Sequence, residues 1–384
     1  TMKAIQIAPL GVLLLCTVAV WGQEKVQGAL LSTSHNPATS MNKVLEKKWQ
    51  DMAAIACLEA KGDIARIDAA IRRGLDDGLT VNQIKEALSH LYAYTGFPRS
   101  LNALGTLQRV LEARRAAGIV DAEGPDADPL PADYDALRQG TEVQCKLTGR
   151  DFNYTFAPAT DYYLKAHLFG DIFARNTLSH AERELVTIGA LSGLPGAEAQ
   201  LRAHVEGARN MGLADDTIRA IPDALQRLVG DVEGYRARRA VAEVFGLPFT
   251  DVVPLEPSDF PKGEPNTAYA QYFTGNSYLA RLTESGLANS NVTFEPRCRN
   301  HWHTHHKTGQ TLVCVNGRGW YQAWGEQPRE LRPGDVVNIP AEVKHWHGAA
   351  CDSWFQHIAF SIPVDGATTE WAEEVTDAEY DRLP

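Results

Sequence analysis

The chain has 384 residues and a formal net charge of -11, with 48 acidic side chains against 37 basic ones. That length accommodates two or three domains with sizeable cores. The acidic balance, with no basic stripe along any segment, argues against nucleic acid as a partner.

Lys3 followed by the apolar run Ala4 to Val20 reads as a secretory signal peptide, with Val20-Trp21-Gly22 as its cleavage site. The run is short for a membrane anchor and is broken by Gln6, Pro9 and Gly11. Residues 1–22 are therefore expected to be a leader and 23–44 a flexible N-terminal segment, giving a periplasmic or secreted protein. No membrane association is expected once the leader is removed. Five cysteines follow Gly22, namely Cys57, Cys145, Cys298, Cys314 and Cys351, with no Cys-x-x-Cys pair. That pattern is neither a disulfide framework nor a structural zinc site. Export permits a disulfide or two without indicating which.

From Asn42 to about Phe245, Ala, Leu, Arg and Glu recur at helical spacing. Thr80-Val81-Asn82-Gln83 and Ser179-His180-Ala181-Glu182 have the form of capping boxes, in which a hydroxyl and an N3 carboxylate or amide exchange bonds with the first turn. A Pro- and Asp-rich stretch, Gly124 to Asp133, reads as a linker. The blocks on either side of it repeat. Arg66-Ile67-Asp68-Ala69-Ala70-Ile71 lines up with Gln200-Leu201-Arg202-Ala203-His204-Val205 at an offset of 134 residues, implying two packed copies of one helical unit. The copies are placed at 45–118 and 161–246, joined by 119–160.

Glu86-Ala87-Leu88, Tyr92-Ala93-Tyr94-Thr95-Gly96-Phe97-Pro98 and Asn102-Ala103 in the first copy resemble the carboxymuconolactone decarboxylase and alkylhydroperoxidase D superfamily. Arg183-Glu184-Leu185, Ala203-His204-Val205 and Arg209-Asn210-Met211-Gly212 resemble it in the second. The resemblance implies an all-α fold and a homo-oligomer assembled through the helical part. The peroxidase branch needs a Cys-x-x-Cys pair where this chain has Ala197 and Gln200, so thiol peroxidase chemistry is excluded. What remains is proton transfer in a decarboxylation, with Glu86 and His90 one turn apart on α-helical spacing and His204 at the family's histidine position. The alternative is that Glu86 and His90 lie on a solvated face and His204 is a satisfied core histidine.

Residues 247–268, with Pro254, Pro257, Pro261 and Pro265, read as a semi-rigid linker to a C-terminal domain at 269–384. Seven of the twelve histidines fall between His301 and His357. On a strand, His303 and His305 point the same way. Thr311-Leu312-Val313-Cys314-Val315 is the next strand, Pro333-Gly334-Asp335 is turn chemistry, and Val336 to Ile339 is a further β-prone run leading to Lys344-His345-Trp346-His347. Three neutral imidazoles and a side-chain carbonyl suit a divalent transition metal with open positions. Trp320, Tyr321, Trp324, Trp346, Trp354 and Phe355 make the region aromatic, mostly as packing, with one or two available to line an apolar pocket.

His-x-His, Gln310, Gly317, Pro-Gly-Asp and a final His resemble the two-part signature of the cupin barrels. Trp302-His303-Thr304-His305, Gly309-Gln310-Thr311-Leu312 and Lys344-His345-Trp346-His347-Gly348-Ala349 are similar to the small cupin-type hydroxynitrile lyases. The resemblance implies His303, His305, Gln310 and His345 as metal ligands, manganese before iron or zinc, and His347 and His357 facing the substrate. Two positions depart from it. Four residues separate His305 from Gln310, which leaves His306 as a rival ligand, and Arg297 stands where a glycine is usual, which leaves a more basic entrance open. A C-terminal amphipathic helix is expected over Trp371 to Leu383.

The expected architecture is multidomain α plus β: an all-α tandem carboxymuconolactone decarboxylase-like helical domain followed by a cupin (double-stranded β-helix, jelly-roll) barrel. The expected activity is a metal-dependent carbon–carbon lyase acting on a small-molecule substrate with hydroxy or oxo groups. Three alternatives stand beside it: decarboxylation in the helical half, a cupin dioxygenase, and a small-molecule binding module.

Overall fold

The computed structural model describes residues 45–284 and 287–384. The leader and the segment to residue 44 lie outside the described residues. Four helices form the first copy: α1 (Lys47–Lys61), α2 (Ile64–Asp76), α3 (Val81–Thr95) and α4 (Phe97–Ala116). An inter-copy segment follows, with α5 (Ala136–Thr148), α6 (Pro158–Tyr162) and a π-helix over Tyr163–Ile172. The second copy is α7 (His180–Ser192), α8 (Glu198–Asn210), α9 (Asp215–Leu228) and α10 (Asp231–Phe245). Helices α8, α9 and α10 start at 198, 215 and 231, each 134 residues after α2, α3 and α4 at 64, 81 and 97, so the repeat read in the sequence is a repeat of helices.

Both expected capping boxes are present. Thr80 accepts from the Gln83 backbone and Ser179 from that of Glu182, with each N3 side chain returning the bond. The two copies meet where α1 crosses α7. A Cβ on Gly189 would lie 2.5 Å from the Ala53 carbonyl oxygen, so only glycine permits this approach. One core runs through both copies, with Met52, Ile55, Leu58, Ile84 and Leu88 packed among Val186, Ile188, Leu201, Ile221 and Leu225.

Among its described residues, the C-terminal domain holds thirteen short strands. They are β1 (Glu264–Pro265), β2 (Phe273–Thr274), β3 (Ser277–Arg281), β4 (Asn289–Phe294), β5 (Arg299–Asn300), β6 (His303–His306), β7 (Gln310–Gly317), β8 (Gly319–Ala323), β9 (Arg329–Leu331), β10 (Val336–Ile339), β11 (His345–Ala349), β12 (Phe355–Phe360) and β13 (Thr368–Trp371). One sheet runs β1-β3-β4-β12-β7-β10. The other holds β13-β6-β11-β5-β2, with β8 and β9 joined through β11. The pairing is antiparallel throughout. Val292, Phe294, Leu312, Val337, Ile339 and Phe355 belong to the domain's apolar core.

The C-terminus differs from expectation. Thr368 to Trp371 pairs with β6 as a strand, and only Asp377–Tyr380 is helical (α11). Trp371 is extended because it lies in register with His303 and stacks on Tyr272, with ring centroids 4.4 Å apart. The five cysteines of the described residues are all free thiols.

Glu59 on α1 is buried, its Oε1 is 2.8 Å from the Thr95 hydroxyl, and its Oε2 has no partner. Burial pushes its carboxyl up to about 7, with the Thr95 bond opposing. The folded chain therefore holds a proton that the unfolded chain gives up at lower pH. Stability from this group is complete below about pH 4 and falls as pH rises through about 7. Replacing Glu59 with Gln should flatten that decline, by about 2–3 kcal/mol between pH 4 and 8. Denaturant melts of both proteins across that range check it, and parallel curves would mean that Glu59 is ionised in the fold.

Candidate metal centre

Strands β6 and β11 lie side by side with His303 opposite His345. Side chains alternate along a strand. On β11, His345 and His347 occupy one face, while Trp346 packs on the other against Trp302, Trp320, Val375 and Tyr380. His303, His345 and His347 each offer a ring nitrogen within 4.8 Å of the others. His305 joins them, its ring centroid 5.0 Å from that of His303 and 5.4 Å from that of His345. Gln310 opens β7 on the other sheet. Its side chain acts on the His305 imidazole, and Gln310 Oε1 and His305 Nε2 are both buried without a hydrogen-bond partner.

The hydrogen bonds set two of the tautomers. Nδ1–H donates to the His301 carbonyl from His303 (2.9 Å) and to the Val343 carbonyl from His345 (2.9 Å), while His305 Nδ1 lies 3.0 Å from the Thr369 hydroxyl, which serves either tautomer. The two carbonyl bonds leave the Nε2 lone pairs of His303 and His345 free, the orientation that outer oxygen partners impose on metal-binding histidines. The Nε2 atoms of His305 and His345 are buried without partners. Burial first, then neighbouring imidazoles, holds His303 well below the usual histidine range. Burial also lowers His305, and brings His345 to about 4. Neutral imidazoles with unused acceptors fit a divalent cation, which would settle lone pairs that otherwise cost about 1–3 kcal/mol each.

Two neighbouring residues are committed elsewhere. His306 bridges Glu342 (2.6 Å) and Glu370 (2.9 Å) on the surface, so both its nitrogens are spent and it is no rival ligand. Arg297 takes a left-handed φ of 69°. Its guanidinium bonds Asp381 at 2.8 Å and lies over the Tyr380 ring, so its charge clamps the C-terminus.

His347 and His357 lie deeper. Their rings meet edge to face at 4.9 Å, and His357 also packs on Phe355 and Phe294. Asn300 holds His347 from two sides. Its Oδ1 accepts from the His347 backbone N–H at 2.9 Å, and its Nδ2 reaches the ring at 3.1 Å. Neither nitrogen of His357 has a partner. The sequence did not single out Asn300 or Trp371 near these rings, and it offered Tyr321 only as one of six aromatics, one or two of which could line a pocket. Trp371 lies 4.7 Å from His303 and Tyr321 6.0 Å from His345 between centroids. Only the register of β13 and β8 against the histidine strands reveals them.

The helical half contains a second polar cluster. Glu86 and His90 are both buried, so neither lies on a solvated face. Glu86, however, is taken up by Arg183 (2.6 Å) and Arg175 (2.9 Å). The carboxylate that meets His204 is Glu184, whose Oε2 accepts from Nδ1–H at 2.7 Å. Tyr94 lies between the imidazoles, with ring centroids 5.3 Å from His90 and 5.4 Å from His204. The Tyr94 hydroxyl, both His90 nitrogens and Glu184 Oε1 have no partner. Burial holds His90 well below its ordinary range.

The carboxymuconolactone decarboxylase family model matches residues 28–109 and 158–243, and a cupin domain model matches 290–353. The (R)-mandelonitrile lyase of Granulicella tundricola is 42% identical over 117 residues, 29% of this chain and 88% of the relative. Among solved structures, a cupin-like protein from Thermotoga maritima is 38% identical, covering 33% of this chain and 97% of its own at a TM-score of 0.31. A DMSP lyase from Ruegeria pomeroyi is 16% identical, covering 36% and 66%, at a TM-score of 0.23. The chain thus carries a carboxymuconolactone decarboxylase family domain in its helical tandem and belongs to the cupins through its C-terminal barrel.

Proposed function

We propose that this chain is an exported, metal-dependent lyase that cleaves the carbon–carbon bond of a small aromatic hydroxynitrile in its cupin barrel, and that it assembles as a homo-oligomer through the helical half. The observation that carries the reading is the convergence of His303, His305 and His345, with the Nδ1–H of His303 and His345 committed to backbone carbonyls and their Nε2 lone pairs free. The 42% identity to a mandelonitrile lyase supports the substrate class. His303, His305, Gln310 and His345 would hold the metal, with His347 as the other nearby nitrogen donor. Manganese is our choice of ion. When bound, it would supply Lewis acidity at the substrate oxygen.

The chain's own residues handle the proton. His347 is kept neutral by burial and fixed by Asn300, and its lone pair can take the substrate hydroxyl proton. The O–H electron pair becomes the carbonyl bond, and the pair of the broken carbon–carbon bond leaves on cyanide. Cyanide then takes up the proton, either from His347 directly or by way of His357, 4.9 Å away between ring centroids. Tyr321 and Trp371 offer apolar surface for an aromatic ring.

Elemental analysis comes first. Purified protein should carry about one divalent metal per chain, and the His303→Ala, His345→Ala variant should carry none. A wild type that stays metal-free after reconstitution overturns the reading. Single His347→Ala and His357→Ala variants should keep the metal and release benzaldehyde from mandelonitrile about 100-fold more slowly. Parallel loss of metal would instead make them ligands.

The buried Glu184–His204 pair favours a second reading, proton transfer in the helical half during loss of carbon dioxide from a small lactone or oxo acid. Glu184→Gln and His204→Ala should then abolish carbon dioxide release while sparing the barrel reaction, measured on the same preparations. Unchanged release in both variants would remove this reading.

A further inference from the structure

An open-mouthed cavity of about 720 Å³ lies in the helical half, away from the barrel. One wall is Leu130, Tyr134 and Val143 from the inter-copy segment, and the facing wall is Phe169 and Phe173 at the π-helix, with His180 at the start of α7. The first wall falls between the two stretches that match the decarboxylase family, 28–109 and 158–243. This chamber is therefore built by the segment that joins the copies.

The walls are held in place by backbone contact. A Cβ on Gly140 of α5 would lie 1.8 Å from the Lys165 carbonyl oxygen, and one on Gly170 2.3 Å from that of Ala136. Two glycines thus let α5 and the π-helix touch, and the Tyr134 hydroxyl donates to the Gly170 carbonyl at 2.8 Å. A ten-residue π-helix is rare, and such windings gather at functional sites. The volume is in the range of small-ligand pockets, about 300–1,000 Å³. The rings of Phe169 and Phe173 meet edge to face at 5.2 Å, an arrangement that favours a further ring against them.

Of the polar residues in the lining, Ser179 and Glu182 are engaged in the capping box and Asn176 with Asp128, which leaves Gln139 and His180. The His180 Nε2 lies 3.0 Å from the Phe173 carbonyl oxygen, which can only accept, so Nε2 carries the proton and Nδ1 is left as an acceptor. Burial lowers His180 from its ordinary range, which keeps the ring in this neutral form. An aromatic chamber with a fixed acceptor selects a ring bearing one hydrogen-bond donor. The Phe173 ring also touches His90 at 5.4 Å, so one side chain separates the chamber from the buried His90, Tyr94 and His204 cluster.

We propose that this cavity is a binding site for a small aromatic hydroxy compound, with the ring between Tyr134, Phe169 and Phe173 and the hydroxyl donating to His180. The site is independent of the barrel reading.

Titration calorimetry with phenol, and with toluene as the ring without a donor, tests it on the full chain. The His303→Ala, His345→Ala variant should bind phenol as the wild type does, which removes the barrel as the source. Val143→Trp should fill the cavity and weaken both ligands at least about tenfold, while circular dichroism reports a folded chain. His180→Phe should weaken phenol about tenfold and leave toluene unchanged. If Val143→Trp unfolds the chain, the His180→Phe comparison decides alone. Absence of saturable phenol binding, binding that survives Val143→Trp, equal loss of phenol and toluene in His180→Phe, or loss of binding in the barrel variant alone would each overturn the proposal.

Discussion

The barrel depends on one electrostatic constraint: five polar side chains are gathered where water is scarce, and most of their acceptor atoms are left over. Burying a polar group without a partner is costly, and His305 Nε2, His345 Nε2 and Gln310 Oε1 are all in that position. Elsewhere the same strands are economical. The Nδ1 atoms of His303, His305 and His345 each find an oxygen, Trp346 donates its indole N–H to Gln322 at 3.0 Å, and Gln356 donates to Thr293 at 3.0 Å. Leftover acceptors from neighbouring side chains gathered at one point are what a cation site requires.

The helical half solves a different problem with the same means. Two copies of a four-helix unit would give two equivalent sites if the sequences agreed. The 134-residue offset shows that they do not. His204 corresponds to Ala70, and His90 and Tyr94 to Ala224 and Leu228, all apolar and packed with the surrounding core. The single remaining cluster takes His90 and Tyr94 from the first copy and Glu184 and His204 from the second. Divergence has left one asymmetric site spanning both copies, and Gly189 against Ala53 fixes the crossing that brings the copies together.

Much of this was legible in the sequence, and the exceptions have physical causes. Capping boxes are local, so Thr80 and Ser179 announced α3 and α7. The histidine strands were legible because alternation fixes which side chains share a face. Glu184 was quoted within a motif but not assigned a partner, because its bond to His204 joins two helices and no spacing rule reports such a contact. Glu86 looked the better base at helical spacing from His90. Two arginines distant in sequence claim it instead. Trp371 was placed on a helix because its polar neighbours suit either conformation, and pairing with β6 decides for the strand. The π-helix has no sequence signal, since its extra residue per turn follows from packing against α5.

Arg297 shows how the distant C-terminus supports the centre. A non-glycine residue at φ 69° carries strain of about 1 kcal/mol or more. The guanidinium offsets it by binding Asp381 and covering Tyr380, while the buried Arg299 binds Asp377 at 2.7 Å and the Val375 carbonyl at 2.8 Å. Tyr380 in turn donates to the Ala349 carbonyl at 2.6 Å, at the end of the strand that carries His345 and His347. The outer face of that strand is thereby sealed by Trp302, Trp320, Trp346 and the tail. With its back fixed in this way, β11 can hold two imidazoles inward at a cost that a mobile strand would escape by turning them out. Arg297 therefore acts on the rigidity of the centre from behind, through the C-terminal tail.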